Sequence, residues 1–190
     1  MGLAYGTMSD GVEDRSSNLK AVSVYRGDQS KKETMDYLIA KGPWDIIIDD
    51  GSHVPSHMIF SLFSLWNSVK PGGLYIIEDL ETNYWPDGTK VFDYEMRNQG
   101  IDAGPEYSTV SKIQQIEQVL IARSSIGAAE LSVMPGDQEI CSIEWGMNLV
   151  AIKKCSEKQV HPMRPQPRYD LDRMRKWIEE ARKTNPVVEK

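Results

Sequence analysis

Residues 46–48 (Ile-Ile-Ile) and 74–77 (Leu-Tyr-Ile-Ile) are short apolar runs without polar alternation, each bounded by turn-forming or acidic residues. That pattern predicts strands covered on both faces, as in a parallel sheet. Between them Pro55 suits the first turn of a helix, and Ile59, Leu62, Phe63 and Trp66 recur at helical spacing until Lys70-Pro71-Gly72-Gly73 breaks the repeat. The segment therefore reads as a right-handed βαβ unit. Its two strands end in adjacent carboxylates, Asp49-Asp50 and Glu78-Asp79. Ligands of open parallel sheets bind beyond the carboxyl ends of the strands. Neighbouring strands lie ~4.8 Å apart, so one carboxylate from each tip can share a cation.

The rest of the chain extends the same alternation. Residues 21–25 read as a short strand and 33–40 as a short helix, together the unit preceding the central βαβ. Residues 83–106 carry Asn, Asp, Gly and Pro with Tyr84, Trp85, Phe92 and Tyr94. This connection is long for a compact domain and reads equally as a lid or as an ordinary surface insertion with its aromatics tucked onto the core. Val110, Ile113, Ile116 and Leu120 mark an amphipathic helix. Residues 139–145 and 147–153 flank Gly146 as an antiparallel hairpin closing a mostly parallel sheet. Prolines 162, 165 and 167 then form a linker, and Leu171, Met174, Ile178 and Ala181 trace one face of a last helix that docks on the domain or a partner.

Composition changes this picture little. A chain of 190 residues, 40% apolar and 26% charged, fits one soluble globular domain. A net charge of −6 argues against a dedicated nucleic-acid surface. No apolar run approaches the ~18 residues of a membrane span, and a cytoplasmic location is expected. Cys141 and Cys155 lie in no metal-ligand cluster and are expected to be reduced thiols.

Asp49-Asp50-Gly51-Ser52-His53, the run Pro-Gly-Gly-Leu-Tyr-Ile-Ile-Glu-Asp at 71–79, and Thr82-Asn83-Tyr84-Trp85-Pro86 together resemble the metal-dependent O-methyltransferases that modify macrolide-antibiotic sugars. The resemblance covers roughly residues 12–154. It is specific because the three pieces occur at βαβ spacing; each alone is weak. It implies a Rossmann-like class I methyltransferase sheet, mostly parallel with a C-terminal antiparallel hairpin. The expected division is 1–19 as a leader or remnant of the second strand region, 20–154 as the methyltransferase-like α/β domain, and 155–190 as linker and terminal helix. It further implies S-adenosylmethionine and Mg²⁺ as cofactors, with Asp50, Glu78 and Asp79 holding the metal and His53 as general base. Asp28, Gln29 and Ser30, with Asp49, would lie at the cofactor, and the acceptor would be a small hydroxylated molecule, a sugar. The chemistry is consistent with the residue types. A hydroxyl is a weak nucleophile at neutral pH, a hard cation bound by carboxylates acidifies it, and imidazole titrates near operating pH.

The amino terminus departs from the pattern. Gly2, Gly6 and Gly11 follow no apolar strand, so the strand, glycine-rich loop and helix that approach the cofactor are expected to be missing. Their loss would leave a sheet edge open, which a homo-oligomer could cover. The alternative is a non-catalytic methyltransferase remnant that binds or scaffolds. A third reading, a metal-dependent hydrolase, lacks any second metal shell or phosphate loop.

Overall fold

In the computed structural model, which describes residues 2–4, 25–92, 94–122 and 132–159 together with Lys176 and Glu179, both apolar runs are strands. The elements in chain order are β1 (Gly2–Ala4), α1 (Lys32–Lys41), β2 (Trp44–Asp50), α2 (Pro55–Leu65), β3 (Val69–Glu78), β4 (Lys90–Val91), β5 (Tyr94–Glu95), α3 (Thr109–Ala122), β6 (Ile140–Gly146) and β7 (Leu149–Lys154). Five strands form one sheet in the order β1-β2-β3-β7-β6, while β4 and β5 make a separate ribbon. β1, β2 and β3 run parallel and β7 runs antiparallel to both β3 and β6. This is the expected mixed sheet, closed by the expected hairpin. The expected strand at 21–25 and the terminal helix at 171–181 lie largely outside the described residues.

Four expectations are corrected. The place beside β2 is not vacant: Gly2–Ala4 pairs there in parallel, Gly2 with Ile48 and Ala4 with Asp50. Three residues with two small side chains give no periodic signal, so the sequence pattern could not reveal the strand. Second, Lys70-Pro71-Gly72-Gly73 does not separate helix from strand but lies within β3 as a bulge. The pairing steps from Trp44–Val69 to Ile46–Leu74, one residue against four. Gly72 supplies the positive φ of +82° that the kink requires. Third, the hairpin turns at Met147 and Asn148, one step after Gly146, with Asn148 in the left-handed region. Fourth, Cys141 and Cys155 form a disulfide with Cα atoms 4.9 Å apart. Cys141 occupies the irregular step between Ile140 and Ser142, and Cys155 follows β7 directly. A count of two cysteines carries no information about that cross-strand proximity.

The core sits on one face of the sheet. Ile47, Tyr75, Ile77, Val150 and Ile152 are buried against Met35 and Leu38 of α1, Ile59, Leu62 and Phe63 of α2, and Ile113 and Ile116 of α3. On the other face, Ile46 is 43% exposed and Leu74, Ile76 and Ala151 are half-buried. The described helices therefore cover one side of strands whose sequence is apolar on both. Trp66 is fully buried where α2 ends, its indole N–H donating to the Gly136 carbonyl at 2.9 Å. Trp66→Ala is expected to cost about 3–5 kcal/mol, measurable as a fall in the urea midpoint with little change in slope.

Candidate metal and base site

β2 and β3 deliver the two acidic pairs to one end of the sheet, and alternation then separates each pair's members. Asp49 turns to the helix-covered face and is 1% exposed, whereas the Asp50 side chain is 47% exposed. After Asp50 the chain turns through Gly51 and Ser52 to His53, then enters α2 at Pro55. His53 and Asp79 both take the left-handed backbone conformation, at φ +54° and +57°. His and Asp are among the residues that tolerate this region, at a cost of roughly 1 kcal/mol each. The turns bring Asp50, His53 and Asp79 together, with one ligand atom from each inside a 4.8 Å group. His53 Nε2 lies 3.4 Å from Asp79 and 3.8 Å from Asp50.

Glu78 is not in that group. The register pairs Asp49 with Ile77, so the next step sets Glu78 beside Asp50 on the same sheet face, with its carboxylate outside the 4.8 Å set.

A buried brace lies beneath the turn. The Gln29 amide donates to Asp49 Oδ1 at 2.7 Å and to Ser61 Oγ at 2.9 Å, and its carbonyl accepts the Ser52 N–H at 2.7 Å. Tyr75 donates its hydroxyl to Asp49 Oδ2 at 3.1 Å. Gly51 suits this closeness, because a Cβ there would overlap Gln29 Oε1, which its hydrogen bonds hold in place. Complete burial outweighs the donated hydrogen bonds and raises the Asp49 pKa to about 7. Burial and the neighbouring Asp49 push the Tyr75 phenol well above its usual value of 10. Gln29 and Asp49, both expected at a cofactor, thus commit their side chains to each other inside the protein. Asp28 stays nearer the surface, its carboxylate accepting Ser30 N–H at 2.9 Å, Ser30 Oγ–H at 2.6 Å and Tyr94 Oη–H at 3.4 Å. Gln29→Ala would strip partners from Asp49 and the Ser52 N–H, and is expected to cost on the order of 3 kcal/mol, read by chemical denaturation.

The aromatic stretch, expected as a lid or a surface insertion, is tied to the same turn. α2 begins after Val54, which offers no capping oxygen, and Gln99 Oε1 accepts the Ser56 N–H in its place at 3.1 Å. Thr109 Oγ1 donates to the Pro55 carbonyl at 3.0 Å, and Asn83 Oδ1 accepts the Thr109 N–H at 2.8 Å. The Phe92 ring packs on His53 with centroids 5.4 Å apart, and Tyr94 meets His57 edge-on at 4.9 Å. Gln99, Thr109 and Ser61 carry no motif that spacing reveals, and the pairing of Tyr75 with Asp49 is not legible from the run it lies in, because these contacts span 26 to 54 residues. These contacts pin the described ends and middle of the stretch beside the His53 turn.

Over part of their length, proteins named as O-methyltransferases are similar to this chain. The 8-demethyl-8-α-L-rhamnosyl tetracenomycin-C 2'-O-methyltransferase of Streptomyces olivaceus is 30% identical over 155 residues, covering 80% of this chain and 38% of the relative. Demethylmacrocin O-methyltransferase of Streptomyces fradiae is 45% identical over 87 residues, covering 45% of this chain and 21% of the relative. The MycE methyltransferase of mycinamycin biosynthesis, solved with Mg and SAH, superposes with a TM-score of 0.58 at 26% identity, over 80% of this chain and 38% of that one. This chain is a homologue of sugar O-methyltransferases. A second MycE structure, which also contains mycinamycin VI, matches with a TM-score of 0.53 at 27% identity, over 73% of this chain and 33% of that one. The chain spans less than two fifths of the length of these relatives. No family model matches it. Its mixed sheet, with a parallel centre and an antiparallel β6-β7 hairpin, is the class I methyltransferase arrangement of the MycE match. No described helix is long and apolar enough to cross a membrane.

Proposed function

We propose that this chain carries the metal-and-base part of a methyl-transfer centre that moves a methyl group from S-adenosylmethionine to a hydroxyl of a glycosylated small molecule. The observation that carries the reading is the meeting of Asp50, His53 and Asp79 at the strand tips, in a homologue of enzymes named for this chemistry. Two half-exposed carboxylates beside an imidazole suit a hard divalent ion that prefers oxygen ligands and leaves positions for water or substrate. Asp50 and Asp79 would hold the ion, with Glu78 the next carboxylate on the same sheet face. Bound there, the cation would lower the pKa of the acceptor hydroxyl.

His53 then has a defined task. Nε2 faces the acidic group and would accept the hydroxyl proton as the oxygen attacks the methyl carbon, while the breaking C–S bond returns its electron pair to sulfur. Asp50 and Asp79, within 4 Å of Nε2, would stabilise the imidazolium that forms. Segment 28–30 reaches the tip of β2 through Gln29, and in this reading Asp28 and Ser30 face the cofactor while Gln29 and Asp49 hold the turn.

Calorimetric titration of the chain with Mg²⁺ and with S-adenosylmethionine tests the proposal. Both should bind, Asp50→Ala should lose the cation, and Gln29→Ala should weaken the cofactor. Cation binding without any cofactor binding would favour a non-catalytic remnant instead.

A further inference from the structure

Phe92 occupies a position that its residue type does not explain. It directly follows β4 in the connection to β5 and has φ +51°, a backbone conformation in which Gly and Asn are the usual residues of tight hairpins. Its side chain is 53% exposed, so core packing does not account for an aromatic ring there. The ring packs against His53 at 5.4 Å between centroids, tilted by 38°, within the range of attractive aromatic contacts.

The imidazole has few other restraints. Histidines acting as bases are usually held through the nitrogen opposite the reacting one. His53 Nδ1 is buried and has no hydrogen-bond partner among the described residues. Nε2 lies at 3.4 and 3.8 Å from two half-exposed carboxylates. With Nδ1 unpartnered, packing is left to hold that side of the ring, and Phe92 is an aromatic surface in contact with it.

We propose that Phe92 is a positioning residue that fixes the His53 ring toward Asp50 and Asp79, so that Nε2 meets the hydroxyl proton. The role in transfer rests on the function proposed above; the orienting contact itself does not.

Phe92→Gly and Phe92→Tyr in the full chain separate the two. The glycine variant relieves the left-handed backbone, so its thermal midpoint should stay unchanged or rise. Its His53 ring protons should lose their nuclear Overhauser contacts to residue 92 and move downfield as the ring current is removed. Methyl transfer to methyl α-L-rhamnoside should fall on the order of 10²-fold in kcat, the scale of a small misplacement of a reacting group, while KM for the rhamnoside changes little. Phe92→Tyr should restore both the His53 shifts and kcat. Wild-type kcat in Phe92→Gly, or His53 ring resonances identical to wild type, would overturn the proposal. A wild-type chain with no transfer at all would refute the proposed function instead, and the His53 resonances would then decide the positioning role alone.

Discussion

Asp50→Ala is expected to weaken Mn²⁺ or Mg²⁺ binding by more than about 100-fold, beyond the 10–100-fold typical for losing a residue that only orients a metal ligand. The reason is the size of the donor set. Asp50 and Asp79 are the two carboxylates of the group whose ligand atoms lie within 4.8 Å of one another, and removal of Asp50 leaves one of them, a poor match for a hard cation that prefers several oxygen ligands. Folding should survive, because the Asp50 side chain is half-exposed and the brace beneath the turn runs through Asp49, Gln29 and Ser52. Isothermal titration or Mn²⁺ resonance measures the loss, and an unchanged affinity would place the cation elsewhere. Glu78→Gln provides the contrast. Its carboxylate lies outside the 4.8 Å group, so a loss as large as that of Asp50→Ala would mean that Glu78 moves in to bind.

Asp49→Asn should change stability rather than chemistry, and by an amount that depends on pH. The folded-state pKa is raised from 3.8 to about 7, so the folded chain binds a proton that the unfolded chain releases between these values. Below about pH 4 both states are protonated and Asp49 costs nothing. As pH rises from 4 to 7 the unfolded state ionises first and stability falls. Above 7 the full cost of the buried charge, roughly 4 kcal/mol, is in place. The substituted amide keeps its carbonyl for the Gln29 donor and can donate to Tyr75 Oη, which also accepts. The variant should match wild type near pH 4 and exceed it at pH 8. Denaturation at these two values measures the difference. Equal slopes in both proteins would contradict the assignment.

Much of the sheet was legible because unbroken apolar runs report strands: Ile47 and Ile77 are buried, though Ile46 on the opposite face is 43% exposed where cover on both faces was expected, and α2 and α3 follow the spacing of Ile59, Leu62 and Ile113, Ile116. The acidic tips were legible as well, since chemistry at the carboxyl ends of parallel strands follows from the fold. What escaped was either too short or set by distant contacts. Gly2–Ala4 offers three residues and no period. The disulfide depends on strand register, which cysteine count does not encode. Gln29 and Asp49 carry the resemblance to a cofactor segment, yet their side chains meet each other because residue alternation turns Asp49 inward. The left-handed backbone at His53 and Asp79, which closes the site, is only weakly signalled by residue types that tolerate it.

The most direct test is methyl transfer itself. The chain would be incubated with methyl-labelled S-adenosylmethionine and methyl α-L-rhamnoside, with Mg²⁺ or with a chelator. The label should appear on a sugar oxygen only with the metal, and should vanish in Asp50→Ala and in His53→Ala while the latter still binds the cation. Transfer that persists under chelation, or that survives loss of His53, would contradict a centre in which Asp50 and Asp79 hold the ion and His53 takes the proton.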